Sequence, residues 1–117
     1  MLCLQHIQQI LTALGISGIE SNPCSWYGRD ENGRMQLDLL IDRIDNVINI
    51  CEMKFTTLPF ELSKAYYEKC LERMERFKAL TKTRKSTMLT FIAAAGLKNN
   101  SYARLVPKTL TLEHLFD

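Results

Sequence analysis

The sequence predicts an α/β fold: a mixed five-stranded sheet with helices against it, in the order helix, three-strand meander, helix, two strands, short helix. Two segments carry apolar residues at helical spacing. Between and after them lie runs with period-two alternation or β-branched residues, bounded by turn-forming clusters. The first three strands are close enough in sequence for tight turns and an antiparallel meander. The long helical segment before the fourth permits a parallel crossover.

Each element follows from its own pattern. Leu4, Ile7, Leu11 and Leu14, with Cys3 and Ile10 beside them, form one helical stripe, and Gly15 is a stop signal. Residues 16–23 connect to a short strand around Ser25–Tyr27, and Gly28–Gly33 has the composition of a turn. Met35, Leu37, Leu39 and Ile41 alternate with Gln36, Asp38, Leu40 and Asp42, a period-two strand. Ile44–Asn46 is a short hairpin loop into a second, β-branched strand, Val47–Phe55. From Phe60 to about Leu80 the period becomes helical, with Leu62, Tyr66, Cys70, Met74 and Phe77 on one face and Pro59 at the start. Thr87–Ala95 reads as a buried strand and Gly96–Ser101 as a turn. Tyr102–Val106 is the last strand, and Thr111 caps a short helix over Leu112–Phe116.

A length of 117 residues fits one domain, residues 1–117, and is too short for a complete P-loop ATPase or a two-domain enzyme. Fifteen Lys and Arg against thirteen Asp and Glu leave a net charge of +2, so a nucleic-acid contact would need a local patch. Cys3, Cys24, Cys51 and Cys70 form no CxxC pair and lie in or beside apolar runs, as reduced structural thiols do. That usage suits the cytoplasm. No apolar run reaches the length needed to cross a bilayer, so no membrane partner is expected.

The chemistry-bearing residues are Asp38 and the run Glu52-Met53-Lys54. With the hairpin loop at Ile44–Asn46, Arg43 pairs with Val47, Ile41 with Asn49, and Asp38 falls opposite Glu52. Directly opposed residues share a face, and Lys54, two positions on, shares it too. Two opposed carboxylates repel unless a cation lies between them. Mg²⁺ or Mn²⁺ is the natural choice, being an oxygen-seeking ion that polarises phosphoryl groups and lowers the pKa of bound water. A neighbouring lysine would orient the water or stabilise developing charge. The same residues also fit a solvated ion pair on a strand.

Asp38, thirteen intervening residues and Glu52-Met53-Lys54 on consecutive strands resemble the signature of the PD-(D/E)XK nuclease superfamily. More narrowly, the chain resembles the nuclease-like C-terminal domain of bacterial and archaeal-type AAA+ ATP-binding proteins. The likeness lies in CLQHIQQILTALGISGI, the pair Ser25-Trp26, QLDLLIDRIDNVINICEMKF, the spaced Phe60, Lys64, Tyr66 and Phe77, TKTRK, and TLTLEHLF, and it runs from Cys3 to Phe116. The resemblance implies a three-layer restriction-endonuclease-like fold and metal-dependent hydrolysis of nucleic-acid phosphodiesters. It implies that Asp38 and Glu52 bind Mg²⁺ or Mn²⁺, with the Met53 carbonyl as a further ligand, and that Lys54 assists the attacking water. It also implies that the chain is the C-terminal part of a longer protein whose N-terminal ATPase domain is a partner. Homodimers are common among such nucleases.

In one respect the sequence departs from that pattern. Many members carry a glutamate on the first helix, whereas Leu2–Leu14 holds no acid and offers His6, Gln8 and Gln9. The alternative function is therefore a nuclease-fold module that binds DNA or regulates an ATPase without cutting. A purely structural domain is a third possibility. For nucleic-acid contact the candidates are Lys64, on the helix after the motif, and Arg84 and Lys85, in the dense run Lys82-Thr83-Arg84-Lys85. The interleaved Glu and Lys/Arg of the helix itself read as a solvated face.

Overall fold

The computed structural model describes residues 7–16 and 18–111. Its sheet begins with a long hairpin, β1 (Ser21–Asp30) and β2 (Gly33–Arg43). The turn between them is only Glu31-Asn32, since Asp30 pairs with Gly33. Asp30 Oδ1 accepts the Asn32 N–H at 2.9 Å, and Gly33 adopts φ 106°, where a glycine is favoured. The predicted turn over Gly28–Gly33 is thus too long and the predicted first strand too short. Exposed Ser25, Tyr27 and Arg29 alternate with half-buried Trp26, Gly28 and Asp30, a period-two pattern hidden by the glycine and the charges.

β3 (Val47–Lys54) returns antiparallel to β2 through the predicted loop, where Asn46 takes φ 68°. Its ladder runs from Asp42↔Ile48 to Leu39↔Cys51, the register expected from the loop. β4 (Ser86–Ala93) then lies parallel to β3, and β5 (Lys108–Leu110) parallel to β4, giving the order β1-β2-β3-β4-β5. The fifth strand is not Tyr102–Val106. There Asn100 accepts the Ala103 N–H at 2.7 Å and donates to the Leu62 carbonyl at 3.1 Å, and Ala103–Leu105 curls into a 3-10 turn.

α1 (Ile7–Ala13) and α2 (Lys64–Thr81) cover opposite faces of the sheet. α2 starts later than predicted because Ser63, not Pro59, caps it: its hydroxyl accepts the Tyr66 N–H at 3.1 Å. Phe60 instead bridges to Leu97 beside the sheet. On the α1 side Ile10 packs with Leu39, Ile41, Cys51 and Ile92. On the α2 side Phe77 packs with Leu40, Ile48 and Ile50, while Leu62, Cys70, Leu89 and Phe91 form the adjoining cluster. The result is a helix, sheet, helix sandwich. The predicted helix over Leu112–Phe116, together with Cys3 and His6, lies outside the described residues.

One irregularity decides how the sheet presents its polar side chains. Trp26 pairs with Leu37, but Cys24 pairs with Leu40, so Asp38 and Leu39 together oppose Ser25. This two-for-one bulge resets the alternation of β2. Met35 and Leu37 pack toward α2, whereas Leu39 and Ile41 pack toward α1. The single face predicted for Met35, Leu37, Leu39 and Ile41 is therefore split.

Candidate functional site

The bulge also redirects Asp38. Both bulged residues turn to the side of the residue they oppose, which places Asp38 with Ser25, Gln36 and Leu39 on the α1 side. Asp38 is exposed there, and its Oδ1 lies 3.4 Å from the Gln36 side-chain amide that donates to it. Glu52 has the parity of Ile48 and Ile50 and points to α2. The expectation that Asp38 and Glu52 share a face is corrected: the β2–β3 register is the predicted one, but the ladder stops at Leu39↔Cys51, just short of the pair.

Glu52 and Lys54 do share the α2 side. The Arg73 guanidinium donates to Glu52 Oε1 at 2.6 Å, and the Tyr66 hydroxyl to Oε2 at 3.4 Å. Only 13% of the Glu52 side chain is exposed, so the carboxylate depends on these partners. Arg73 also donates to the Gln36 carbonyl, pinning α2 to β2 beyond the end of the β2–β3 ladder. Lys54 Nζ sits 4.5 Å from the centre of the Tyr66 ring and 5.1 Å from that of Phe60, a cation over two aromatic faces. Burial raises the Tyr66 phenol above its ordinary value, against the pull of Lys54. Burial, with Glu52 adding to it, pushes the Cys70 thiol up to about 12.

A divalent cation needs several converging oxygens. Here one half-buried carboxylate has both oxygens engaged, and the second acid is on the other side of the sheet. Among the described residues no three His, Cys, Asp or Glu side chains converge. The residues present therefore do not fit the Mg²⁺ or Mn²⁺ site implied for Asp38 and Glu52. Met53, expected to lend its carbonyl, turns its side chain into the α1-side core.

The predicted nucleic-acid residues do not form one surface. Lys64 is the exposed first residue of α2, and Arg84 lies past its other end, roughly 25 Å away by helix rise. Lys85 donates to Asp42 Oδ1 at 2.6 Å and to the Arg43 carbonyl at 2.7 Å, so it ties the end of α2 to the β2–β3 hairpin. A polar cleft missed from sequence, of about 250 Å³, lies between the start of β2 (Arg34–Gln36) and Lys69, Glu72, Arg73 and Arg76 of α2, with Arg73 and Arg76 held by Glu52 and Asp30. Its signal in the sequence is the spacing of Lys69, Arg73 and Arg76 along one helix, which places them on adjoining turns.

No family model matches the chain, and no curated protein matches it. A solved structure, that of the protein of unknown function AF1548, superposes with a TM-score of 0.61 at 15% sequence identity, covering 94% of this chain. The chain spans 64% of the length of that structure. The likeness shows a shared fold. No helix among the described residues is long and apolar enough to cross a membrane.

Proposed function

We propose that the chain is a nuclease-fold module that binds nucleic acid without cutting it. One observation carries this: Arg73 occupies the Glu52 carboxylate at 2.6 Å while Asp38 lies on the opposite face, so the acids that would hold a catalytic metal are not assembled. The resemblance of Asp38, Glu52 and Lys54 to a nuclease signature supports nucleic acid as the ligand, and Lys69 is a cation in the cleft beside Glu52 that no acid among the described residues pairs. The AAA+ resemblance further supports an ATPase domain as the partner that such a module serves, in the cytoplasm.

The second reading is an active Mg²⁺- or Mn²⁺-dependent nuclease, favoured by Glu52 and Lys54 lying on one face. A plasmid-nicking assay with Mn²⁺ separates the two. The module predicts retarded migration of DNA with no metal-dependent nicking. Nicking that depends on Mn²⁺ and disappears in Lys54→Ala would instead establish the nuclease.

A further inference from the structure

The exposed face of the β1–β2 hairpin has chemistry that the fold does not use. Arg29 pairs directly with Arg34, and Tyr27 with Gln36, in the antiparallel ladder. Ser25, Tyr27, Arg29, Arg34 and Gln36 are all exposed on the side away from Trp26 and Leu37. Two arginines directly opposite one another, with Cβ atoms roughly 5 Å apart, destabilise a sheet unless an anion joins them. The Arg29 side chain makes no hydrogen bond or ion pair among the described residues. Arg34 packs on the Tyr27 ring, with the guanidinium carbon 5.2 Å from the ring centre.

Local acids do not neutralise the pair: Glu31, the exposed acid of the turn, makes no ion pair with either arginine. Asp30 is on the other face, where Arg76 clamps it at 2.7 and 2.8 Å. Asp38 shares the face with Arg34 but lies about 13 Å along the strand. The hairpin is also fixed in place. Arg76 holds Asp30 and donates to the Gly33 carbonyl at 3.0 Å, so the turn is bound to α2. The arginine pair and the tyrosine are thus presented on a fixed ribbon, so a ligand has to order their side chains but not the backbone that carries them.

Tyr27 is 55% exposed, and Arg34 lies over one side of its ring. On this face the Arg29–Arg34 rung lies next to the Tyr27–Gln36 rung on its turn side, so a base stacked on Tyr27 would carry its adjoining phosphates over the two unneutralised arginines. We infer that this face, Tyr27 with Arg29 and Arg34, is a binding platform for single-stranded nucleic acid, the base stacking on Tyr27 and the phosphates meeting the arginines. Double-stranded nucleic acid fits less well, because its bases offer no free face for Tyr27 to stack on. The inference rests on the proposed nucleic-acid-binding function and names a surface for it.

The test is fluorescence anisotropy of a short labelled oligothymidylate, with a mixed-sequence duplex of equal length as competitor, on the 117-residue chain. Arg29→Ala/Arg34→Ala should flatten the plot of log affinity against log salt by about 1.4, because each phosphate neutralised on a single strand adds roughly 0.7 to the slope. Tyr27→Ala should weaken binding by roughly 10-fold while Tyr27→Phe retains it, since stacking needs the ring and not the hydroxyl. Unchanged far-ultraviolet circular dichroism and melting temperature exclude loss of fold in these surface variants. Variants that bind as wild type with the same salt slope would overturn the platform and leave the function proposal standing. Wild-type protein that binds no nucleic acid would overturn both. A duplex that competes more effectively than the single strand would overturn the stacking assignment.

Discussion

Arg73 on α2 and Glu52 on β3 form an ion pair at 2.6 Å with their side chains 25% and 13% exposed. Such a pair is costly to break from one side, because the remaining charge stays buried without a partner. Arg73→Ala strands Glu52 with only the Tyr66 hydroxyl. The expected loss is about 2 kcal/mol, reduced from the fully buried case because the site is partly wet. Glu52→Gln should cost less, and the double variant less than the sum of the two singles. Urea midpoints of the four proteins measure the coupling. Additive losses would mean that the pair holds nothing together.

Gly28→Ala should destabilise the protein through packing rather than backbone conformation. A Cβ at this position would lie 2.4 Å from one carbon of the Trp26 indole and 2.7 Å from the next. The indole cannot yield easily, because it packs edge-on against Phe77 with ring centres 5.0 Å apart. Overpacking of this kind costs about 1–3 kcal/mol. Trp26 is the only tryptophan, so its emission reports the displacement directly. A variant with wild-type emission and stability would show that the ring has room to move.

These two sites show what the sequence can and cannot reveal. The β2–β3 register is legible because a three-residue loop between two strongly patterned runs admits one pairing that buries both. The bulge at Asp38-Leu39 is not, because it exists only relative to Ser25, on a strand whose pattern looks shorter than it is. That strand is obscured because Gly28, Arg29 and Asp30 have turn composition. Gly28 is instead demanded by the Trp26 ring, and Asp30 by Arg76. The shared face of Glu52 and Lys54 follows from strand parity alone. The partner of Glu52 is hidden because Arg73 belongs to an interleaved charged helix, where one residue turned inward looks like its solvated neighbours. Lys85 likewise looks like a companion of Arg84, although its ammonium reaches back to Asp42.

Acid should loosen the β1–β2 hairpin. The Arg76 guanidinium, by hydrogen bonding, holds the Asp30 carboxyl below the usual carboxylate range, and Arg43 does the same to Asp45. A carboxyl depressed on folding favours the native state above its unfolded value of about 4, and the benefit is lost as pH falls through that value toward the folded one. The urea midpoint should therefore fall as pH drops from about 5 to about 3. Asp30→Asn should lower the midpoint at neutral pH and make the acid decline shallower. An identical acid slope in wild type and variant would remove Asp30 as a contributor.

Cys70 should be inert in the folded protein. It lies on the buried face of α2 beside Leu62, Leu89 and Phe91, 3% exposed, and its thiol is pushed up to about 12. At pH 8 the reactive thiolate is then only about one part in ten thousand, on top of the steric block. Cys24, half-buried beside Trp26 on the edge strand, is raised as well, by burial first and Asp42 second, but is more accessible. Iodoacetamide at pH 8, followed by peptide mass spectrometry, should label Cys24 before Cys70 and reach Cys70 only when urea unfolds the chain. Labelling of Cys70 at the rate of Cys24 under native conditions would mean that α2 opens far more readily than its Ser63 cap and its Arg73 and Arg76 clamps imply.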